Sequence, residues 1–242
     1  MPPGAPQGYY SPPPPPFYGT PLKPLPLIDA IAQLPLQYWK ILSKPGARTF
    51  AEESGKAKWD ILLVQLIGYT ILDALLGWLH TTLYPLPVQA LPSNVNTNGV
   101  DVAQLQSVEL GIINFLTGPG LFIFVPLGFF IYQGIAFGIA RAFGGQGSFL
   151  TQSYTILLIY VPVGVIDLAL AYVPLGILPG LLSLALDIYG ITLTVFAMMG
   201  AHRLTGGKAS AAALLPFLGL FLLFCCGLFT VLLFVAGSAI QQ

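Results

Sequence analysis

The sequence predicts an all-α, polytopic membrane protein: a five-helix transmembrane bundle behind a disordered, Pro-rich N-terminal tail. Composition is the first reason. Of 242 residues, 55% are hydrophobic and 7% charged, where soluble domains carry about 25% charged residues; mean hydropathy is +0.80. Segmentation is the second. Apolar runs over 59–83, 119–142, 149–173, 178–201 and 213–236 each supply the ~20 residues that a helix needs to cross a bilayer. The third is the placement of positive charge. Lys23, Lys40, Lys44, Arg48, Lys56 and Lys58 precede the first run, Arg141 ends the second, and Arg203 and Lys208 separate the fourth from the fifth. The alternate loops and the C-terminal end hold no Lys or Arg. Cytoplasmic loops are enriched in these residues, so the N-terminus reads as cytoplasmic and the C-terminus as outside.

Taken in order, residues 1–26 hold 11 of the 22 prolines, Pro12 to Pro16 in a row. Proline fixes φ and removes a donor, so this tail is expected to be extended, partly polyproline II. Tyr9, Tyr10, Phe17 and Tyr18 punctuate it. It reads either as a spacer or as a strip for a cytoplasmic protein partner with an aromatic groove. The start MPPGAPQGYY has neither the basic n-region nor the apolar core of a signal peptide.

Residues 27–58 form a basic, amphipathic juxtamembrane segment. Leu34, Leu36, Trp39 and Leu42 are expected to share an apolar side, with the lysines at anionic headgroups. Pro35 and Pro45 are expected to divide it into short pieces. The membrane domain then runs over 59–238. Its loop 84–118 is polar around Asn94–Asn98 and mildly amphipathic from Val102 to Phe115. Gly134 and Gly138 make a GxxxG step beside a second small ridge, Ala136 and Ala140. Such ridges let helices approach closely; packing inside the bundle is the favoured reading, a homo-oligomer contact the other. Pro126 and Pro162 are expected to kink their helices.

Three carboxylates, Asp73, Asp167 and Asp187, fall inside spans that hold no Lys or Arg partner at their depth. An ionised Asp at the bilayer centre costs at least about 2.5 kcal/mol, so such residues face the bundle and are candidates for function. They read as an acidic relay or cation site, or as hydrogen bonds that set helix register. Ser183, Asp187 and Thr194 lie on one stripe, Tyr69 stands one turn before Asp73, and His80 lies near the outer boundary.

Enzyme signatures do not occur: neither HExxH, nor Gly-x-Ser-x-Gly, nor the GxGD of intramembrane aspartyl proteases. The run at Gly144–Gly147 lacks the Lys-Ser/Thr ending of a phosphate loop. Zero net charge gives no footprint for nucleic acid. Adjacent Cys225 and Cys226 read as small packing residues in an apolar run. No cofactor, metal or catalytic residue is expected.

The most informative stretch is Arg141–Pro162, RAFGGQGSFLTQSYTILLIYVP. An apolar run stops at Gly144-Gly145, turns through Gln146-Gly147-Ser148, and re-enters at Phe149. Gly144, Gly145 and Gly147 are expected to take left-handed angles, and Ser148 to cap the next helix. This hairpin, Ala201-His202-Arg203-Leu204-Thr205 with Lys208-Ala209, and Lys44-Pro45 with Thr49-Phe50 and Trp59 together resemble the Yip1 domain in its prokaryotic branch, over residues 40–238. The resemblance implies a non-enzymatic membrane scaffold or adaptor. Arg141, Gly144, Gly145, Gln146, Gly147, Ser148, His202, Arg203 and Lys208 would be its cytoplasmic interaction residues, in a prokaryotic plasma (inner) membrane. Eukaryotic members bind prenylated GTPases and carry an Asp-Leu-Tyr-Gly-Pro-type motif before the first span. Here that motif is missing, and Asp187-Ile188-Tyr189-Gly190 lies inside the fourth span. The alternative is a small transporter or proton- or cation-linked permease using Asp73, Asp167 and Asp187.

Overall fold

The computed structural model describes residues 22–83, 110–116, 118–174 and 176–240. The tail up to residue 21 and most of the loop 84–118 lie outside the described residues, and the readings made for them go with them. The elements are α1 (Leu27–Ser43), α2 (Ala47–Ser54), α3 (Trp59–Leu83), α4 (Leu121–Ala142), α5 (Phe149–Leu170), α6 (Leu178–His202) and α7 (Gly206–Ile240). No strand occurs among the described residues. The helices α3 to α7 are the five long and apolar enough to cross a membrane, so the chain is an integral membrane protein in contact with lipid.

α5 is the hub. It packs on α6, α3, α1, α2 and α4, while α7 closes the other side against α6 and α4. One core, built on Ile41, Phe50, Leu62, Leu157 and Leu193, joins α1, α2, α3, α5 and α6. A second joins Ala136 and Ala140 of α4 to Met198 and to Ala209, Ala212 and Ala213 of α7. That second core explains why α7 begins at Gly206 rather than near 213. Burial of small residues in its first turns carries the helix out past the apolar window, and Lys208 stands in a helical turn.

The juxtamembrane segment departs from expectation in two ways. α1 runs unbroken through Pro35; the ring points away from the bundle, so the N–H it lacks is removed on the exposed side, and packing of the opposite face holds the helix. The apolar side also differs. Ala30, Leu34, Gln37 and Ile41 are buried, whereas Leu36 and Trp39 are about 70% exposed. α1 therefore has two apolar faces, one on α5 and one, with Ile28, turned outward. α2 is tied down harder still. Gly200 of α6 approaches so closely that a Cβ there would sit 2.6 Å from Ala47 O and 2.8 Å from Ala51 N. The chain joins the bundle even before α1, through Leu22 N–H to Glu52 O at 2.9 Å and Lys58 Nζ to Leu25 O at 2.9 Å.

The small residues of α4 divide by side. Ala136 and Ala140 pack inside, but a Cβ on Gly134 or Gly138 would meet nothing within 4 Å. The favoured reading of Gly134 and Gly138 as contacts within the bundle is thus corrected: a period of four places 134/138 and 136/140 on different faces of one helix, and only the alanine face meets α7.

Candidate functional site

The end of the bundle that holds the Lys and Arg residues is built by the two turns between α4 and α5 and between α6 and α7. Sequence flagged them separately; the fold joins them. Gln146 N–H donates to His202 O at 3.1 Å, and Lys208 Nζ donates to Phe143 O at 3.1 Å. Arg141 Nη1 reaches back to Gly145 O at 3.1 Å. Among the three turn glycines, only Gly144 has a left-handed angle, φ 86°. Gly145 and Gly147 serve close approach instead: a Cβ on Gly145 would lie 2.9 Å from His202 Nδ1, and one on Gly147 would overlap Ala201 O. Ser148 caps α5 as expected, its Oγ accepting from Thr151 N at 3.1 Å. On the other turn, Arg203 ends α6 in the left-handed region at φ 57°.

Beneath these turns lies a buried polar chain that sequence reasoning missed. Gln152 Nε2 donates to Gln133 Oε1 at 2.7 Å and to Gln133 O at 3.1 Å. With its amide nitrogen committed to two oxygens, Gln152 Oε1 is left as the acceptor for His202, 2.8 Å from Nε2. That makes His202 the Nε2–H tautomer. All three side chains are at most 1% exposed. His202 is therefore a pillar under the turn rather than a surface residue, while Arg141, Gly144, Gln146, Ser148, Arg203 and Lys208 are exposed. Among the described residues Gln133 Nε2, Ser153 Oγ and His202 Nδ1 have no hydrogen-bond partner. The signal was available: Gln65, Gln133 and Gln152 interrupt apolar runs as plainly as the aspartates do.

Alongside, α1 and α2 bring a charge network. Glu53, 1% exposed, lies 2.7 Å from Lys40 Nζ and 2.7 Å from Lys56 Nζ. Glu52 pairs with Arg48 at 3.0 Å and Lys40 at 3.3 Å. Slight burial pushes the Glu52 carboxyl up, but its bonds to Arg48 and Lys40 outweigh that and hold it below the usual range. Desolvation likewise pulls the Lys40 ammonium down, and Glu53 and Glu52 more than reverse it, so its net shift is upward. Part of the basic charge counted in the sequence is thus neutralised internally. Deeper in, Tyr154 Oη donates to Gln37 Oε1 at 2.8 Å and Tyr38 Oη to Gln65 Oε1 at 3.2 Å.

The aspartates are placed differently. Asp73 is half-buried and Asp167 exposed, and both lie close enough to the Tyr69 phenol to act on it electrostatically. Tyr69 stacks edge-on to Tyr160 at 4.9 Å and leans on Gly164, where no side chain would fit. Asp187 instead lines a cavity of about 400 Å³ between α4, α5, α6 and α7, with Gln133, Tyr132, Tyr160, Thr194 and Phe217. Neither Asp73 nor Asp167 lines it. His80 stacks edge-on to Tyr172 at 5.5 Å, whose hydroxyl donates to Leu76 O. Among the described residues no group of three His, Cys, Asp or Glu side chains is placed to hold a metal.

A family model for the Yip1 domain matches residues 39–229. Comparison with curated proteins and with solved structures yields no match.

Proposed function

The chain belongs to the Yip1 domain family, and from that premise we propose that it is a non-enzymatic membrane scaffold whose basic end recruits a soluble partner. In this reading the basic end faces the cytoplasm of a prokaryote and the membrane is its plasma (inner) membrane, because Lys and Arg mark the cytoplasmic side. The observation that carries the proposal is the union of the two turns: Gln146 bonds His202 and Lys208 bonds Phe143, so residues 141–148 and 202–208 form one fixed surface. A fixed surface loses little entropy on docking, which favours recognition. The Pro-rich segment, whose last residues are tied to α2, would present its sequence beside that surface. Self-association through the outward Gly134 and Gly138 belongs to the same proposal, supported by the open space around both. The permease alternative draws less support, since the three carboxylates do not share one cavity.

Crosslinking in native membranes tests it. Wild type is expected to yield a defined soluble partner that is lost from a variant lacking residues 1–21 and from an Arg203→Glu/Lys208→Glu variant, both still folded. Equal recovery of that partner from all three proteins would overturn the proposal.

A further inference from the structure

The outward face of α1 has no role in a docking surface built from the two turns. On a 3.6-residue period Ile28, Ala32, Pro35, Leu36 and Trp39 share one side, opposite the side that buries Ala30, Leu34, Gln37 and Ile41. Ile28 is 81% exposed, Leu36 71% and Trp39 70%. Asp29, Gln33 and Lys40 occupy one flank between the two sides, and Lys40 is spent on Glu52 and Glu53. An exposed apolar face of this kind marks contact with lipid or with another protein.

The depth of the helix decides between them. α3 and α5 begin at one level, because the rings of their first residues, Trp59 and Phe149, are 6.3 Å apart. α1 sets out from that level too, where Lys58 Nζ donates to Leu25 O. From there it descends. Tyr154 donates to Gln37 and Tyr38 donates to Gln65; these partners stand about 8 Å along α5 and about 9 Å along α3, at 1.5 Å per residue. At the far end Tyr189 Oη donates to Leu42 O at 2.6 Å, from a position about 20 Å inward of the His202 end of α6. All three partners belong to membrane-spanning stretches, and one leaflet's share of the hydrocarbon core is only about 15 Å thick. Even with a tyrosine's full reach allowed for, the end of α1 lies below the level where the spans begin. A helix resting on the headgroups could not make these bonds.

We propose that α1 is tilted into the leaflet at the basic end, with Ile28, Leu36 and Trp39 against the acyl chains of that leaflet. The bundle covers its other side, and a soluble partner has no access at this depth. The charges agree with the tilt. Asp29 lies in the first, shallow turn. Lys44, just past the deep end, is exposed, and its long apolar stem lets the ammonium rise toward the headgroups. The inference is independent of what docks on the turns and of which compartment the basic end faces.

Tryptophan quenching in reconstituted vesicles tests it. A Trp59→Phe/Trp78→Phe variant keeps Trp39 as its one tryptophan. With lipids brominated on the upper acyl chain, Trp39 is expected to lose about half its emission, as suits a side chain ~5–10 Å below the headgroup boundary, while aqueous iodide leaves it nearly unchanged. The same loss is expected when residues 1–21 are also removed. Quenching by iodide and not by bromine would make the face an aqueous one and overturn the proposal. Emission indifferent to both would overturn it as well, in favour of the tail if removing residues 1–21 restores bromine quenching and of a second copy if it does not. A nitroxide at Leu36→Cys, in a Cys225→Ala/Cys226→Ala chain that keeps Trp59, gives an independent reading. Oxygen is expected to relax it more than a water-soluble nickel complex does, with the order reversed for Gln146→Cys at the turn. A label at Leu36 that behaves like the one at Gln146 would overturn the proposal.

Discussion

Two halves of the bundle treat polar groups in opposite ways. Toward the basic end Gln133, Gln152 and His202 form a connected chain, Glu53 is held between two lysines, and both turns are stitched across. In the other half Asp73, Asp167 and Asp187 have carboxylates without hydrogen bonds among the described residues. Interhelical polar bonds in membranes average about 0.6 kcal/mol each and reach about 2. What rigidifies the basic end is therefore the connection of many such bonds to a close-packed backbone, not any single one. The opposite half is left adaptable, which suits a face that meets lipid or a ligand.

Glycine substitutions break this comparison most sharply. Gly147→Val drives a branched side chain into Ala201 and His202, and is expected to cost about 3 kcal/mol or more, the upper range of overpacking. Gly138→Val, with nothing within 4 Å, is expected to leave the thermal melt in detergent unchanged. Similar losses from both would mean that α4 is packed equally on its two sides, and the close fit at the turn would not be what distinguishes the basic end.

A second pair separates connected from unconnected polar groups. Gln152→Leu strands Gln133 Oε1 together with His202 Nε2–H, and is expected to cost about 2 kcal/mol. Asp167→Leu removes a carboxylate that makes no hydrogen bond or ion pair among the described residues, and should shift stability by less than about 0.5 kcal/mol in either direction. Melting curves of the two variants, set beside wild type, check the ordering. A larger loss from Asp167→Leu would mark the carboxylate as structural glue after all.

That ordering also shows what the sequence could and could not reveal. Hydropathy located α3 to α6 to within a few residues because burial in lipid depends on composition alone, and Ser148 was readable as a cap because capping is local. Gly145 and Gly147 were read as turn formers for the same local reason; their contact with His202 is made across 55 or more residues of chain. Charge was the more misleading guide. It drew attention to Asp73, Asp167 and Asp187 and away from Gln133 and Gln152, although a neutral amide inside an apolar run is as costly to leave unpaired as its position is informative. Likewise, Leu36 and Trp39 advertised an apolar face on α1, yet the face that packs sets Ala30 and Gln37, residues with little hydrophobic weight, beside Leu34 and Ile41. Alanine and glutamine count for little in a hydropathy window and for much in a helix contact.

The smallest expected effect tests whether the charge network belongs to the rigid end. Glu52 is held below the usual carboxylate range by Arg48 and Lys40, against slight desolvation. A carboxyl whose folded pKa is depressed contributes stability that is complete above its unfolded pKa, near ~4.3, and is lost as pH falls through the lower folded value. Lys40 is shifted the other way, so its share is present below its unfolded pKa and is lost as pH rises through the raised folded one. Between these limits the network holds steady. Both groups are partly exposed and screened, so the expected contribution is a few tenths of a kcal/mol, typical of surface pairs. In a pH series of thermal melts, Glu52→Gln should match the wild type's slope near neutrality but flatten its decline below about pH 4.3. Identical acid limbs would show that Glu52 gains nothing from its partners in the folded state, leaving the buried Glu53 to hold α2 against the bundle.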